Sequence, residues 1–296
     1  MWIKKLTTPA SDPGALSFVL RLTAIIILLR PMGPWWISFL LLGIAVSTLI
    51  FPRILHAPAT WYVLALLVAG RIIEDWPLAD NHIYLLAYWC LAIGLALGSG
   101  NVITVLGRSS RLLVGLAFLF AVIWKGVLSP DYLDGRFFRV TYLTDPRFEN
   151  LTTVVGNFTI DQLAEAREYL KPPSDGALPR LHNTPSFTAL VYFSTWWTIL
   201  IEALCAFFFL VPFRGRFGIA RHVLLLTFCV TTYALAPVLG LGLILLTMGL
   251  ASVDPENHLL RTTYFTAWLL VLAYYMIPWV GFVIDGVGYQ WFATAP

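Results

Sequence analysis

Long apolar runs broken by short polar stretches predict helices near 14–30, 34–51, 58–73, 80–100, 111–128, 186–212 and 262–284, with one longer run over 219–252. The ordinary runs are close to the roughly 20 residues that a helix needs to cross a hydrocarbon core. The 219–252 run exceeds one span and contains Pro237, Gly240 and Gly242. Proline removes an amide donor and clashes with the preceding turn, so this run is expected to divide at Ala236-Pro237. A single kinked, tilted helix is the competing reading, and it would place the C-terminus on the opposite side. The pattern thus predicts an all-α, polytopic membrane bundle of about eight or nine transmembrane helices, forming a single membrane domain over 1–296.

One sizeable polar stretch interrupts the pattern, from about 129 to 185. It carries Asp131, Asp134, Asp145, Glu149, Asp161, Glu165, Glu168 and Asp175. Thr159-Ile160-Asp161-Gln162 has the form of a capping box, opening a short helix through Leu170 that Pro172 and Pro173 stop. The stretch reads as a small helical cap, too short for an independent domain with its own core.

Composition sharpens the class. Hydrophobic residues make up 59% of the chain and charged ones 12%, with a mean hydropathy of +0.79. A soluble domain carries about 25% charged residues, so soluble, disordered and disulfide-scaffold classes are excluded. Cys90, Cys205 and Cys229 are odd in number, lie inside apolar blocks and show no metal-ligand spacing. The net charge of +3 reflects basic residues in short loops, which marks orientation rather than nucleic-acid binding. With the N-terminus inside, inner segments hold Lys4, Lys5, Arg53, Arg108, Arg111, Arg214, Arg216 and Arg221, against Arg30 and Arg71 outside. That bias predicts a cytoplasmic N-terminus and an extracytoplasmic 129–185 cap.

Ionisable residues inside apolar helices are costly and therefore functional candidates: Arg21, His82, Lys125, Glu202, His222 and Asp285. His82 at the start of the fourth predicted helix and Lys125 near the end of the fifth both fall within roughly 5 Å of the outer boundary. Consecutive antiparallel helices pack side by side, so His82 and Lys125 are expected to share a pocket under the cap. Lys125 stands between Ile123-Trp124 and Gly126-Val127-Leu128 with no carboxylate adjacent in sequence. A lysine in so apolar a setting can shed its proton and act as a base. The competing reading is a snorkelling lysine and an interfacial histidine. Arg21 and Glu202 count as deeper, and a structural ion pair or hydrogen-bonded tie is expected for them, with a polar substrate path as the alternative. His82 and His222 lie at opposite ends, which removes the paired axial ligands of a haem. Trp35, Trp36, Trp61, Tyr62, Trp196 and Trp197 read as belt aromatics that can also stack a quinone ring. No P-loop, GxSxG, HExxH or GxGxxG motif stands in a supporting context.

Three segments together resemble one family. Asp12-Pro13-Gly14-Ala15-Leu16 followed by Arg21 is similar to its opening "DPxSL…R" segment, and Asp80-Asn81-His82-Ile83-Tyr84-Leu85 to its "NHxYL" helix start. Lys125 with Ser129-Pro130-Asp131-Tyr132-Leu133-Asp134-Gly135 is similar to its "K…W/Y-x-x-G" segment. The family is that of vitamin K-dependent gamma-carboxylase and its bacterial relatives, the horizontally transferred transmembrane (HTTM) domain proteins. The resemblance implies a bacterial inner-membrane protein in which Lys125 is the base that activates a reduced, vitamin K-like quinone and His82 assists it. A single lysine stands where the carboxylase has a pair, and the carboxylase's large lumenal C-terminal region has no counterpart. Quinol redox chemistry is therefore expected ahead of glutamate carboxylation. The expected partners are membrane lipids and a quinone, with no metal. A non-enzymatic scaffold of the same fold is the second reading. A lipid or small-molecule carrier, prompted by the broken 219–252 segment, is the third.

Overall fold

The computed structural model describes residues 13–29, 33–74, 76, 80–170, 183–213, 215–233 and 238–276, and every regular element among them is helical. Lys4, Lys5, Asp12, Arg30, Asp175, Arg214, Asp285, the Pro172-Pro173 stop, the Ala236-Pro237 break and the last helix beyond Met276 lie outside the described residues. The chain divides into two compact units. One takes its described residues from 13–114 and 238–276, the other from 115–233.

The first unit contains α1 (Pro13–Leu29), α2 (Trp35–Ile50), the single turn α3 (Pro52–Leu55), α4 (Pro58–Glu74), α5 (Asn81–Leu97), the first turns of α6 (Val102–Ile123), α13 (Leu239–Ala251) and α14 (His258–Met276). Its centre is α13, apolar all round and buried at almost every position from Leu239 to Leu250. It packs on α14, α1 and α5. Small residues bring these helices close: the Tyr264 ring lies against Gly249, and a Cβ added at Gly94 would stand 2.7 Å from the Tyr62 ring. Trp89 Nε1 donates to Thr23 Oγ1 at 3.0 Å, tying α5 to α1 where both are buried. Ser110 Oγ donates to the Met248 carbonyl and ties α6 to α13.

The second unit contains the rest of α6, a five-residue π turn (Trp124–Leu128), the short helices α7 (Pro130–Leu133), α8 (Arg136–Thr144), α9 (Glu149–Val154) and α10 (Ile160–Tyr169), then α11 (Pro185–Leu210) and α12 (Arg216–Tyr233). The polar stretch is thus richer in helix than the one short element expected. The capping box forms as expected: Thr159 Oγ1 accepts from the Gln162 amide, and Gln162 Oε1 accepts from the Thr159 amide at 2.9 Å. The cap also has an apolar cluster, Tyr142, Leu143, Phe148, Phe158, Leu163 and Ala166, completed by Phe187 and Val191 of α11. Thr184 joins the two by accepting from the Phe187 amide at 3.0 Å and donating to the Gly156 carbonyl at 2.6 Å. The first two turns of α11 therefore belong to the cap.

The long 219–252 run is two helices, α12 and α13, as its expected division requires, with 234–237 between them. The main difference from the predicted helices lies in α6. The fifth predicted helix begins at Val102 rather than near 111, so Arg108 and Arg111 are helical rather than loop residues. Val102–Leu106 is apolar apart from Thr104, and the Asn101 side chain accepts from the Thr104 amide, which opens the helix ahead of the arginines.

Among the described residues, two helical stretches, Val102–Leu128 and Pro185–Leu210, are long and apolar enough to cross a membrane, and five shorter helices are apolar as well. Their exposed faces are apolar too: Leu112, Leu116, Phe120 and Trp124 on the first, Phe193, Trp196, Leu200 and Phe207 on the second, Trp35, Phe39 and Ile50 on α2.

Candidate functional site

Lys125 sits on the π turn that ends the α6 span. A π turn admits an extra residue, and such insertions into α-helices recur at functional positions. Ser129 follows it, and Pro130 opens α7 at a position where its missing amide costs nothing. Gly135 then turns the chain at φ 82, with Val191 so near that a Cβ would meet it at 2.7 Å. This run of π turn, short helix and left-handed glycine folds Tyr132 back over the lysine. The Lys125 ammonium lies 5.3 Å from the Tyr132 ring centroid, a cation–π contact. Phe137 and Phe138 pack on the same ring at 5.0 and 5.5 Å.

The partner of Lys125 is Glu202 of α11. Its Oε1 accepts from Lys125 Nζ, with the lysine side chain 19% and the glutamate side chain 7% exposed. Counting residues from the ends of the apolar runs puts Glu202 deeper than Lys125. The two meet because the first turns of α11 lie in the cap, so a count from the end of the apolar run misplaces Glu202. Lys125 is therefore ion-paired within the unit.

Glu202 Oε2 is buried and has no hydrogen-bond partner. Around it stand Tyr132, Cys205 and Tyr233, each within electrostatic reach of the carboxylate. Burial pushes the Tyr132 phenol up; the Thr198 hydroxyl opposes this and the charge of Glu202 adds to it. Tyr132 thus stays a neutral donor near pH 7. The Tyr233 hydroxyl, on α12, is likewise buried without a partner. Cys205 and Cys229 are free, buried thiols.

The other sequence-predicted residues have different settings. His82 is buried in the first turn of α5, with Nδ1 3.8 Å from Asp80 Oδ2. It belongs to the first unit and Lys125 to the second. Arg21 is exposed on α1 and makes no ion pair among the described residues. His222 is buried in α12 with its ring 6.2 Å from that of Phe209. The resemblance quotes Tyr132 within its Y-x-x-G segment but gives it no role. A signal for the Lys125–Glu202 pair was available, since an embedded acid and an embedded base without local partners each need one. Nothing in the sequence marks Tyr233 among twelve tyrosines.

Among the described residues no group of three His, Cys, Asp or Glu side chains gathers to hold a metal. The arrangement instead places an amine, a carboxylate with one unsatisfied oxygen, and phenols in an apolar surround. Such a set can hydrogen-bond a ligand hydroxyl. Comparison with protein-family models, with curated proteins and with solved structures finds no match to the chain.

Proposed function

We propose that the protein is a multi-pass protein of a bacterial inner membrane, of HTTM type, whose Lys125–Glu202 pair is the proton-accepting centre for a reduced quinone. The apolar exposed faces support the membrane reading, because a face of Leu, Phe and Trp is stable against lipid and costly against water. Arg53, Arg108 and Arg221 lie near the ends assigned to the cytoplasm, which supports an inner N-terminus. The Lys125 and Tyr132–Gly135 segments support the family reading by their order and spacing.

The observation that carries the chemical reading is the buried pair with one carboxylate oxygen unsatisfied. A buried polar atom without a partner is unfavourable by about 1–3 kcal/mol, and a ligand hydroxyl would relieve that cost. A bound reduced quinone supplies such a hydroxyl, whose proton leaves to the pair; with dioxygen as the two-electron oxidant the reaction balances as quinol plus O2 to quinone plus hydrogen peroxide. The pair would take the quinol proton as one hydrogen-bonded unit, with Lys125 held by Glu202 on one side and by the Tyr132 ring on the other.

Two measurements test this. Lipid extraction of the purified protein followed by mass spectrometry should find a stoichiometric quinone, whereas bulk phospholipid alone would favour a non-enzymatic scaffold. In quinol-dependent oxygen consumption, Lys125→Ala and Lys125→Arg should each lose about 100-fold or more, the usual share of one acid–base group. Arginine preserves the ion pair but not the base, since guanidinium keeps its proton. A fully active Lys125→Arg variant would remove the catalytic role.

A further inference from the structure

Among the described residues only two buried side-chain oxygens lack a hydrogen-bond partner, Glu202 Oε2 and Tyr233 Oη. Both lie in the same unit, on helices that pack together. The ring of Phe209 lies 6.2 Å from that of His222, and Trp197 Nε1 donates to Thr231 Oγ1 at 3.2 Å, so α11 and α12 run antiparallel. That register sets Tyr233 roughly 10 Å along the axis from Glu202 at 1.5 Å per residue. Helical side chains lean toward the N-terminus of their own helix. In an antiparallel pair these two therefore lean toward each other, and the long tyrosine covers most of the separation. Tyr233 is 3% exposed and Glu202 5%, so neither oxygen is satisfied by bulk solvent.

We infer that Glu202 and Tyr233 form a two-point cradle for a single ligand hydroxyl, and that the site selects an aromatic alcohol over the same ring without an O–H. The two groups ask for complementary things. Glu202 Oε2 can only accept from a hydroxyl, whether the carboxyl is ionised or shares its proton through Oε1. Tyr233 Oη can donate to the same oxygen. A hydroxyl donates to one and accepts from the other, satisfying both orphaned atoms. A ketone or an ether accepts from Tyr233 but leaves Glu202 unpaired. The inference rests on the reading of this pocket as the quinol site, and it adds a preference for the reduced ring over the oxidised one.

The test uses the full-length protein in lipid nanodiscs and two probes of nearly the same shape, 1-naphthol and 1-methoxynaphthalene, with binding to protein-free discs subtracted. The wild type should bind 1-naphthol about tenfold or more tightly than 1-methoxynaphthalene, as one good hydrogen bond in a dry site provides. Tyr233→Phe should weaken 1-naphthol roughly five- to tenfold and 1-methoxynaphthalene by a similar factor, because both oxygens accept from Tyr233, while the preference for the hydroxyl set by Glu202 remains. Its melting temperature should be equal or higher, because phenylalanine keeps the packing on Phe228 and removes an unsatisfied hydroxyl. Equal affinities of the two probes for the wild type would overturn the cradle, as an oxygen pair bridged by water would give. Unchanged 1-naphthol binding by Tyr233→Phe would overturn it too. Quinol turnover that is insensitive to Tyr233→Phe rejects the cradle and leaves the Lys125–Glu202 centre standing. Hydroxyl discrimination without any quinol turnover keeps the cradle and rejects the catalytic reading.

Discussion

Lys125 and Glu202 are each costly to lose alone. Removing one member of a buried ion pair leaves the other unpaired, which destabilises by about 3–5 kcal/mol, whereas replacing both by apolar residues is often neutral or better. Lys125→Ala should therefore lower the melting temperature as well as activity. The double change Lys125→Met with Glu202→Leu should restore most of the stability and none of the activity. Thermal unfolding of the purified protein checks this, and a single lysine variant as stable as the wild type would argue against a buried pair. Each residue was legible alone, because a charge inside an apolar run stands out. Their union was not, since they lie 77 positions apart in the chain. Depth counted along a run also misleads when the helix begins inside a soluble cap.

Helix ends were legible wherever the residues dictate the stereochemistry. Thr159 and Gln162 announce a helix start by their hydrogen-bonding reach, and Pro52, Pro130 and Pro185 sit in first turns where proline is tolerated. The start of α6 was obscured because arginines at 108 and 111 look like loop residues, although long basic side chains can extend away from a helix. The π turn left no pattern at all: it reflects how α6 is joined to the cap, not a local preference. Close helix contacts were similarly hidden in single glycines. Gly94→Ala should drive a methyl into the Tyr62 ring and destabilise α4 against α5 by about 1–3 kcal/mol. Gly126→Ala, on a residue with no neighbour near its added Cβ, is the control for glycine loss as such. Equal melting temperatures for the two variants would show that α4 and α5 do not approach this closely.

At the scale of the molecule, periodicity conveyed the helices and their order, and charge asymmetry conveyed a sidedness. On the proposed topology the cap faces outward, and the turn between α5 and α6 faces the cytoplasm. In a background lacking the three native cysteines, Glu165→Cys should react with an impermeant thiol reagent in intact cells and Gly100→Cys should not. Both positions are exposed, so burial cannot account for a difference. The reverse pattern would invert the assignment. Periodicity says nothing, however, about which helices belong together, and the division into two units followed only from packing. The first unit is discontinuous: its central helix, α13, is separated from α1 and α5 by the whole of the second. This has a consequence for biosynthesis. The ribosome finishes every helix of the second unit before it makes the core of the first, so α1 and α5 emerge early and wait without the surface they are built to cover. During that interval the newborn chain is exposed to quality-control proteases and to wrong neighbours at its earliest helices, not at its latest.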